Sequence, residues 1–317
     1  MRFIIRADSS LSIGTGHVMR TSAIAEELIE LGKNVVFIGN VSEISWLEDR
    51  VRSLGFSSIF DDEENFTSDP LTDILIIDSY SVSPLSSFIN PEKWRAIVSI
   101  VDEITPNYFA NLVIHPGILS NLKLKNGVTS LSGPKYIPLR KSLIEMNSCD
   151  KDLNTLNILV VGGGTDTNGF VSEIAKILMS LRTSFVACLF SDKIRLEKLD
   201  NRFKVLDIGP DLDIKVGGAD LIFTTASTAS LEFIARGIPM GVARAVTNQE
   251  HNYNNFGKLN IAAQIGQYEL GKWDLDKNLI TELVRNRDLR EGLKNSSSNL
   301  VDYGGAKRIV AEILKLL

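Results

Sequence analysis

The chain has 317 residues, few cysteines and no long apolar run. Its two cysteines, Cys149 and Cys188, cannot form a disulfide framework and do not stand in a metal-ligand spacing. No segment reaches the ~20 consecutive apolar residues of a membrane-spanning helix. The chain begins directly on a predicted strand rather than on a secretory signal. We therefore expect a cytoplasmic protein without stable membrane insertion.

Positive charge is not in excess either. The formal net charge of −5 at pH 7 argues against a general electrostatic attraction to nucleic acid. The acidic run at residues 61–64 is typical of a solvated loop rather than of a metal site. We expect no nucleic-acid partner, no metal and no cofactor, and by default a monomer.

Short apolar runs alternate with helical patterns along the whole chain. The runs are rich in Val and Ile and are continuous rather than alternating, as in strands that are buried on both faces. Strands are predicted at residues 2–7, 34–38, 74–78, 96–101, 111–114, 153–161, 184–190, 203–208, 221–223 and 240–242. Helices are predicted at 17–31, at 169–181 and throughout 268–317.

This order of elements predicts an α/β protein with two Rossmann-like domains, each built on a parallel sheet. Residues 139–154 are polar and weakly periodic, so we place the boundary near residue 150, between domains 1–150 and 151–317. The last helix is a candidate to pack back on the N-terminal domain. The two sheets are expected to face each other across a cleft, with ligands at the carboxyl ends of the strands.

The turn between the first strand and the first helix combines several functional residue types. Gly14 and Gly16 offer backbone N–H groups to an anion, and His17 follows them directly. Asp8 precedes the turn, and Arg20 shares a helix face with His17 at the spacing i, i+3. An acid, a base and a cation thus converge on one loop. This favours His17 as a general base, with the other four residues as substrate ligands, over a histidine of merely structural role.

Two common phosphate-binding motifs are excluded at this turn. A dinucleotide fingerprint needs a third glycine where Met19 stands. It also needs an acidic residue after the second strand, which instead is followed by Gly39 and Asn40. A P-loop needs Gly-Lys-Ser or Gly-Lys-Thr, which the chain does not contain.

Two further strand ends carry candidate ligands. Gly163, Gly164 and Thr165 follow a buried strand of the second half, where glycine either allows a phosphate to approach the backbone or only makes a tight turn. Asp78 and Tyr80 follow the third predicted strand at the carboxyl edge of the sheet. They would bind substrate there or simply form a turn.

The second half also contains small hydroxyl residues before a helix. Ser227 and Thr228 would be N-caps or would donate to a pyrophosphate at the helix N-terminus. Glu232, about one turn later, would accept hydrogen bonds from both hydroxyls of a ribose. Asn248 and Gln249 begin the next helix, where the amides would recognise hydroxyls or only form a polar helix start.

In this order, the segments resemble the pseudaminic acid pathway hydrolases. The specific match is the opening stretch Arg-Ala-Asp-Ser-Ser-x-x-Ile-Gly-x-Gly-His-Val-Met-Arg at residues 6–20. Weaker matches lie at residues 77–80, 102–106, 136–140, 163–166, 227–232 and 248–249. The resemblance covers about residues 1–255.

The resemblance implies a fold and an activity. These hydrolases cleave UDP-2,4-diacetamido-2,4,6-trideoxy-β-L-altropyranose to the free sugar and UDP, on the way to nonulosonic acids of flagellin or surface polysaccharides. They are related to MurG-type glycosyltransferases and share the GT-B architecture of two Rossmann-like domains. By this resemblance His17 activates water at the anomeric carbon and the turn at Gly14 and Gly16 approaches the diphosphate-sugar. Phosphate would be held by Ser227 and Thr228 and the ribose by Glu232, without a metal.

Two other functions stay open. A glycosyltransferase of the same fold would give the sugar to a lipid or saccharide acceptor. Against it, the first half has no run of Lys or Arg beside apolar residues for a membrane surface. A regulator that only binds a nucleotide-sugar has no need of a titrating group such as His17 in the glycine turn.

Overall fold

The computed structural model describes residues 1–102, 106–119, 128–142, 155–191, 194, 199–209 and 211–317. The chain forms two compact units. The N-terminal unit comprises Met1–Lys141 and Asp302–Leu317, and the C-terminal unit comprises Ser142–Val301. The boundary predicted near residue 150 falls outside the described residues.

In the described part of the N-terminal unit, seven strands form one parallel sheet. They are β1 (Phe3–Ala7), β2 (Val35–Ile38), β3 (Ser58–Phe60), β4 (Ile74–Asp78), β5 (Ala96–Ile100), β6 (Leu112–His115) and β7 (Thr129–Ser132). The spatial order is β3-β2-β1-β4-β5-β6-β7, so the order reverses between β1 and β4. Sheets of this kind bind ligands at that switch point, outside the carboxyl ends of the strands.

The described part of the C-terminal unit repeats this plan. Its strands are β8 (Leu156–Val161), β9 (Phe185–Phe190), β10 (Phe203–Leu206), β11 (Leu221–Thr225), β12 (Met240–Arg244), β13 (Ala263–Glu269) and β14 (Lys272–Leu275). The spatial order β10-β9-β8-β11-β12-β13-β14 places the switch point between β8 and β11. All neighbours are parallel except β13 and β14, which form an antiparallel hairpin.

Helices accompany both sheets. The described helices are α1 (Gly16–Glu30), α2 (Ser45–Ser53), α3 (Phe170–Met179), α4 (Asp211–Gly217), α5 (Thr228–Ala235), α6 (Glu250–Lys258), α7 (Lys277–Arg285), α8 (Arg287–Ser297) and α9 (Gly305–Leu314). The last of them, α9, belongs to the N-terminal unit. Among the helices of the described ranges, none is both long and apolar enough to cross a membrane.

Both faces of the N-terminal sheet are buried. Phe3 and Ile5 of β1 pack in a core cluster with Leu28 of α1 and residues of α9. Ile4, between them in sequence, points to the other face and packs in a cluster with Trp94. This alternation follows from the two-residue period of a strand, and it explains why the strands are continuously apolar.

The predicted strands are all present, but four strands were missed. These are β3, β7, β13 and β14, which are short or polar and only partly buried because they lie at or near the sheet edges. The prediction that 268–317 is helical throughout is wrong at its start, where β13 and β14 form their hairpin. Leu270 and Gly271 make its turn with φ of 50° and 79°, a pair of positive values typical of tight hairpins.

Candidate functional site

The loop between β1 and α1 closes on itself before the helix begins. The N–H of Gly14 donates to the carbonyl of Ser10 at 2.8 Å. Gly14 has a φ of +84°, in the left-handed region that favours glycine. Thr15 is the N-cap residue of α1, but its side chain makes no capping hydrogen bond. The first amides of the helix, from Gly16 onward, are therefore open to an anion.

His17 and Asp78 form a buried pair at the switch point of this sheet. His17 Nδ1 lies 2.5 Å from Asp78 Oδ1, and the two side chains are 6% and 1% exposed. Asp78 is brought there by the pairing of β4 with β1, which sets it opposite Ala7. An ionised carboxylate only accepts hydrogen bonds, so a neutral imidazole carries its proton on Nδ1 and its lone pair on Nε2. Within the described ranges, Nε2 has no hydrogen-bond partner.

Arg20 connects this pair to a second carboxylate. Its Nε and Nη2 donate to the two oxygens of Asp78, the second at 2.7 Å, and its Nη1 donates to Asp102 Oδ1 at 2.5 Å. Burial opposes the charge of Asp78, but Arg20 and His17 outweigh it and hold the pKa of Asp78 below its ordinary value. Burial also opposes the charge of Arg20, and the two carboxylates outweigh it and raise the pKa of Arg20. The ion network is thus complete without a ligand.

Tyr80 covers one side of the pair. Its hydroxyl donates to Asp102 Oδ2, and its ring meets the His17 ring edge-on, with centroids 4.5 Å apart and planes at 86°. Burial and the charge of Asp102 raise the pKa of Tyr80 above its ordinary value, so the hydroxyl stays a neutral donor. The residue is 53% exposed. Because the hydroxyl is already used, the ring is the part of Tyr80 that is open to a substrate.

Asp8 is held by groups other than His17. One oxygen of its carboxylate accepts from Arg6, and the other accepts from Ser79 and, at 2.8 Å, from Ser81. Burial opposes its charge, but these hydroxyls and Arg6 hold the pKa of Asp8 below its ordinary value. The expected convergence of acid, base and cation therefore occurs with an acid from β4 rather than with the acid of the same loop.

The acidic run at 61–64 is not wholly solvated, contrary to the expectation. Glu63 Oε1 accepts a hydrogen bond from Arg6 Nε at 2.5 Å, and the Glu63 side chain is 28% exposed. Among the described residues, no group of three or more His, Cys, Asp or Glu side chains could hold a metal ion.

In the C-terminal unit, the glycine turn after β8 lies beside hydroxyls that follow β11. Gly163 has a φ of +92°, and a Cβ on it would lie 3.6 Å from Thr225 Oγ1 and 3.9 Å from Ser227 Oγ. Both hydroxyl oxygens are buried, and in the part of the chain that the structure describes they have no hydrogen-bond partner. Buried hydroxyls normally have one. Two donors are therefore in place for a ligand at this turn.

The N-terminus of α5 lies at the same place. Ser227 is its N-cap residue, and its side chain makes no capping hydrogen bond. The first amides of α5, beginning at Thr228, thus carry the partial positive charge of a helix N-terminus toward any ligand there. Glu232, one turn further along α5, is 7% exposed.

The other predicted ligands of this unit are divided between the glycine turn and the loop that follows β12. Thr165 Oγ1 lies 2.9 Å from Thr167 Oγ1 in the glycine turn. Gln249 Oε1 accepts from the N–H of Ala245 at 2.9 Å and so closes the loop after β12. Asn248 is exposed on the short 3-10 turn Thr247–Gln249 before α6. Gly164 is partly buried beside Gly163.

Most of the predicted residues thus lie at two switch points, one in each unit, whereas Asn248 and Gln249 follow β12. Two residues of these sites were not among the predicted site residues: Asp102, the second carboxylate on Arg20, and Thr225, a buried hydroxyl without a partner in the described ranges. Both stand at the carboxyl end of a predicted buried strand, and that position is the signal that could have found them.

No protein-family model matches the chain. It is 25% identical over 285 residues to uncharacterized protein MJ1062 of Methanocaldococcus jannaschii, covering 81% of this chain and 58% of that protein. The chain therefore spans little more than half the length of this relative.

Two further similarities extend over nearly the whole chain. It is 25% identical to the UDP-N-acetylglucosamine--N-acetylmuramyl-(pentapeptide) pyrophosphoryl-undecaprenol N-acetylglucosamine transferase of Wigglesworthia glossinidia brevipalpis, over 95% of this chain and 94% of that protein. Among solved structures, the glycotransferase of kitacinnamycin aligns with a TM-score of 0.69 at 14% identity, over 100% of this chain and 99% of that one. The expected fold class is confirmed: the chain has the GT-B fold, with two parallel-dominated sheets and their helices.

Proposed function

We propose that this protein transfers a sugar from a UDP-linked donor to an oxygen nucleophile that His17 deprotonates. The observation that carries the proposal is the buried His17–Asp78 pair, 2.5 Å from Nδ1 to Oδ1, which leaves Nε2 as the proton acceptor. A general base works in a fixed direction when a third group orients it, and Asp78 is that group.

The charges around His17 suit this step. As the nucleophile's oxygen attacks the anomeric carbon, its O–H bond breaks and the proton passes to Nε2. The bond from the anomeric carbon to the UDP oxygen breaks, and UDP leaves with the electron pair. The imidazolium then stands beside the carboxylate of Asp78, in a buried setting where attraction between opposite charges is stronger than in water.

We assign the nucleotide to the C-terminal unit. The diphosphate would accept from the hydroxyls of Ser227 and Thr228 and from the first amides of α5, with the Gly163 backbone alongside. Glu232 would accept from the ribose hydroxyls. A helix N-terminus can stabilise the leaving diphosphate, so the assignment needs no metal. Further proposed ligands of the donor are Gly164, Thr165, Asn248 and Gln249.

In the N-terminal unit we divide the predicted ligands into two groups. The first amides of α1, from Gly16 onward, and the ring of Tyr80 are proposed to meet the substrate, and Gly14 is proposed to shape the turn, because its own N–H donates within the loop. Asp8 and Arg20 already use both carboxylate oxygens and all three guanidinium nitrogens within the protein. We propose that these two hold the loop and the carboxylates in place rather than bind the substrate.

The acceptor we favour is a hydroxyl group of a second molecule. Two of the three similar proteins named above are transferases, and the Wigglesworthia relative acts on a lipid-linked muramyl pentapeptide according to its name. An acceptor hydroxyl and water present the same kind of O–H bond to Nε2, so the base at His17 serves either.

Water is the second candidate, supported by one specific observation. The stretch at 6–20 resembles the opening of the pseudaminic acid pathway hydrolases, in which the histidine of that stretch activates water. The product in that case would be a free 2,4-diacetamido-2,4,6-trideoxy sugar together with UDP.

One assay separates these functions. Purified protein is incubated with UDP-N-acetylglucosamine or with UDP-2,4-diacetamido-2,4,6-trideoxy-β-L-altropyranose, and UDP release is followed with and without a lipid-linked muramyl pentapeptide. Release that requires the acceptor supports transfer, and release without it, together with free sugar, supports hydrolysis. Absence of UDP release and of UDP binding under all conditions would contradict the nucleotide-sugar assignment itself.

A further inference from the structure

Three ionised groups lie around His17, and their charges do not cancel. Asp78 and Asp102 are carboxylates, and Arg20 is the cation between them. With a neutral imidazole, the cluster carries one net negative charge. With an imidazolium it carries none, so the proton that the proposed reaction delivers to His17 completes the charge balance.

Arg20 alone would oppose that proton. Its Nη2 lies 3.3 Å from His17 Nδ1, and a guanidinium so close to an imidazole disfavours a second positive charge. Arg20 also donates twice to Asp78 and so draws on the same negative charge that must stabilise the imidazolium. Without another anion, the positive charge of Arg20 would cancel the negative charge of Asp78, and no net negative charge would remain to stabilise an imidazolium at His17.

Asp102 is that other anion, and it acts from the far side of Arg20. Its Oδ1 accepts from Arg20 Nη1 at 2.5 Å and its Oδ2 accepts from Tyr80, and in the described part of the chain no hydrogen bond joins it to His17. Partial burial opposes its charge, but Arg20 and Tyr80 outweigh it and hold the pKa of Asp102 below its ordinary value. The carboxylate is therefore ionised at neutral pH.

We propose that Asp102 is a positioning residue for the proposed proton transfer, whose charge offsets Arg20 so that Asp78 can stabilise the imidazolium at His17. The inference rests on the proposed function, because it concerns the charge that forms during that reaction. It adds to that function a residue that acts on the base through Arg20 and is not hydrogen-bonded to the base itself.

The alternative is that Asp102 only keeps Arg20 and Tyr80 in place. Two substitutions separate charge from shape. Asp102→Asn keeps the size and an acceptor oxygen but removes the charge, whereas Asp102→Glu keeps the charge and changes the length. If charge matters, glutamate rescues turnover and asparagine does not. If only shape matters, the ranking is reversed.

The test measures kcat and KM for the UDP-sugar that the wild-type protein turns over. We expect Asp102→Asn to lower kcat by about 10²-fold with little change in KM, since the charge is needed only when the imidazolium forms. Asp102→Glu should recover most of that loss. Tyr80→Phe removes a hydrogen bond to Asp102 but not its charge, and should cost less than a tenth of the loss seen with asparagine.

Asp73→Asn is the matched control. Asp73 is another buried carboxylate paired with an arginine, Arg2. It stands just before β4, at the amino ends of the strands, whereas His17 and Asp102 stand at their carboxyl ends. Its substitution should leave kcat unchanged, while thermal melting of each variant checks folding. Asp102→Ser serves as a second neutral variant should the asparagine variant melt below the assay temperature.

Different results would overturn the role of Asp102 and the proposed function. Asparagine and serine variants within threefold of wild-type kcat, or a glutamate variant worse than both, would overturn the role of Asp102 while His17 remained the base. A wild-type protein that turns over no UDP-sugar would instead overturn the proposed function, and the role of Asp102 with it.

Discussion

The two units share one sheet topology but place different chemistry at its switch point. In the N-terminal unit, the ends of β1 and β4 lead to the ionisable side chains of His17, Arg20 and Asp78, which are already bonded to one another. In the C-terminal unit, the ends of β8 and β11 lead to glycines and to the hydroxyls of Thr225 and Ser227, which have no partner among the described residues.

The cost of burial explains this difference. A buried charge without a partner costs far more than a buried hydroxyl without one, so charged groups must be paired within the protein before any ligand arrives. A buried hydroxyl can remain without a hydrogen-bond partner at a cost of about 1–3 kcal/mol until an oxygen of the ligand accepts its hydrogen bond. One switch point is therefore suited to moving a proton, and the other to binding an anion.

Removal of the His17 imidazole is expected to have the largest effect, slowing the reaction while leaving UDP binding almost unchanged. His17→Ala should lower kcat by about 10²–10⁴-fold, the usual contribution of a positioned general base. The affinity for UDP should change less than twofold, because we assign UDP to the other unit. Steady-state kinetics and calorimetric titration with UDP measure the two effects separately.

His17→Gln is the matched control for this prediction. Glutamine can still hydrogen bond to Asp78 but cannot accept the proton, so it should be as slow as alanine. Full turnover by either variant would remove His17 from the role of base.

The next prediction uses pH to weaken the paired unit selectively. Among the described residues, carboxyl groups with lowered pKa values are Asp8, Asp73, Asp78, Asp102 and Asp302 in the N-terminal unit and Asp200 in the C-terminal unit. A carboxyl with a lowered pKa stabilises the fold above its unfolded pKa of about 3.9 and loses that contribution as pH falls toward its folded pKa. Hydrogen exchange followed from about pH 5 down to about pH 2 should show the N-terminal unit opening first.

Two substitutions test the same difference between the units at a single pH. Asp78→Asn removes one partner from a buried network and should cost the N-terminal unit about 3–5 kcal/mol at pH 7. Asp200 pairs with Arg202 on the surface, with its side chain 43% exposed, so Asp200→Asn should cost less than about 1 kcal/mol. Equal acid sensitivity of the two units would contradict the contrast between their switch points.

Much of the fold was predictable because buried parallel strands leave a direct mark on the sequence. Strands such as β1 and β4 are apolar at almost every position, since helices cover both faces of the sheet. The strands that were missed, such as β7 and β14, lie at sheet edges, where half of their residues meet solvent and the apolar run disappears.

The candidate site was predictable in its members but not in its pairing. His17 and Arg20 stand out because a glycine turn and a helical spacing are local features. The acid that contacts His17 is 61 residues away in sequence, and only the register of β4 against β1 brings Asp78 there. Asp8 is closer to His17 in sequence and was the predicted acid for that reason, but its carboxylate accepts a hydrogen bond from Arg6 of β1 instead.

The smallest expected effect concerns an unpartnered hydroxyl of the C-terminal unit. Thr225→Val keeps the shape of the side chain and removes a buried hydroxyl that has no partner in the described structure. The protein without ligand should therefore gain about 1 kcal/mol of stability, while its affinity for UDP should fall several-fold if this hydroxyl meets the nucleotide. Thr281→Val, at a partly exposed position of α7, is the control for affinity: it removes a hydrogen bond to the Lys277 carbonyl and should leave the affinity for UDP unchanged. A gain in stability with unchanged UDP affinity would place the nucleotide elsewhere, because the hydroxyl would then be buried at a cost without serving the ligand.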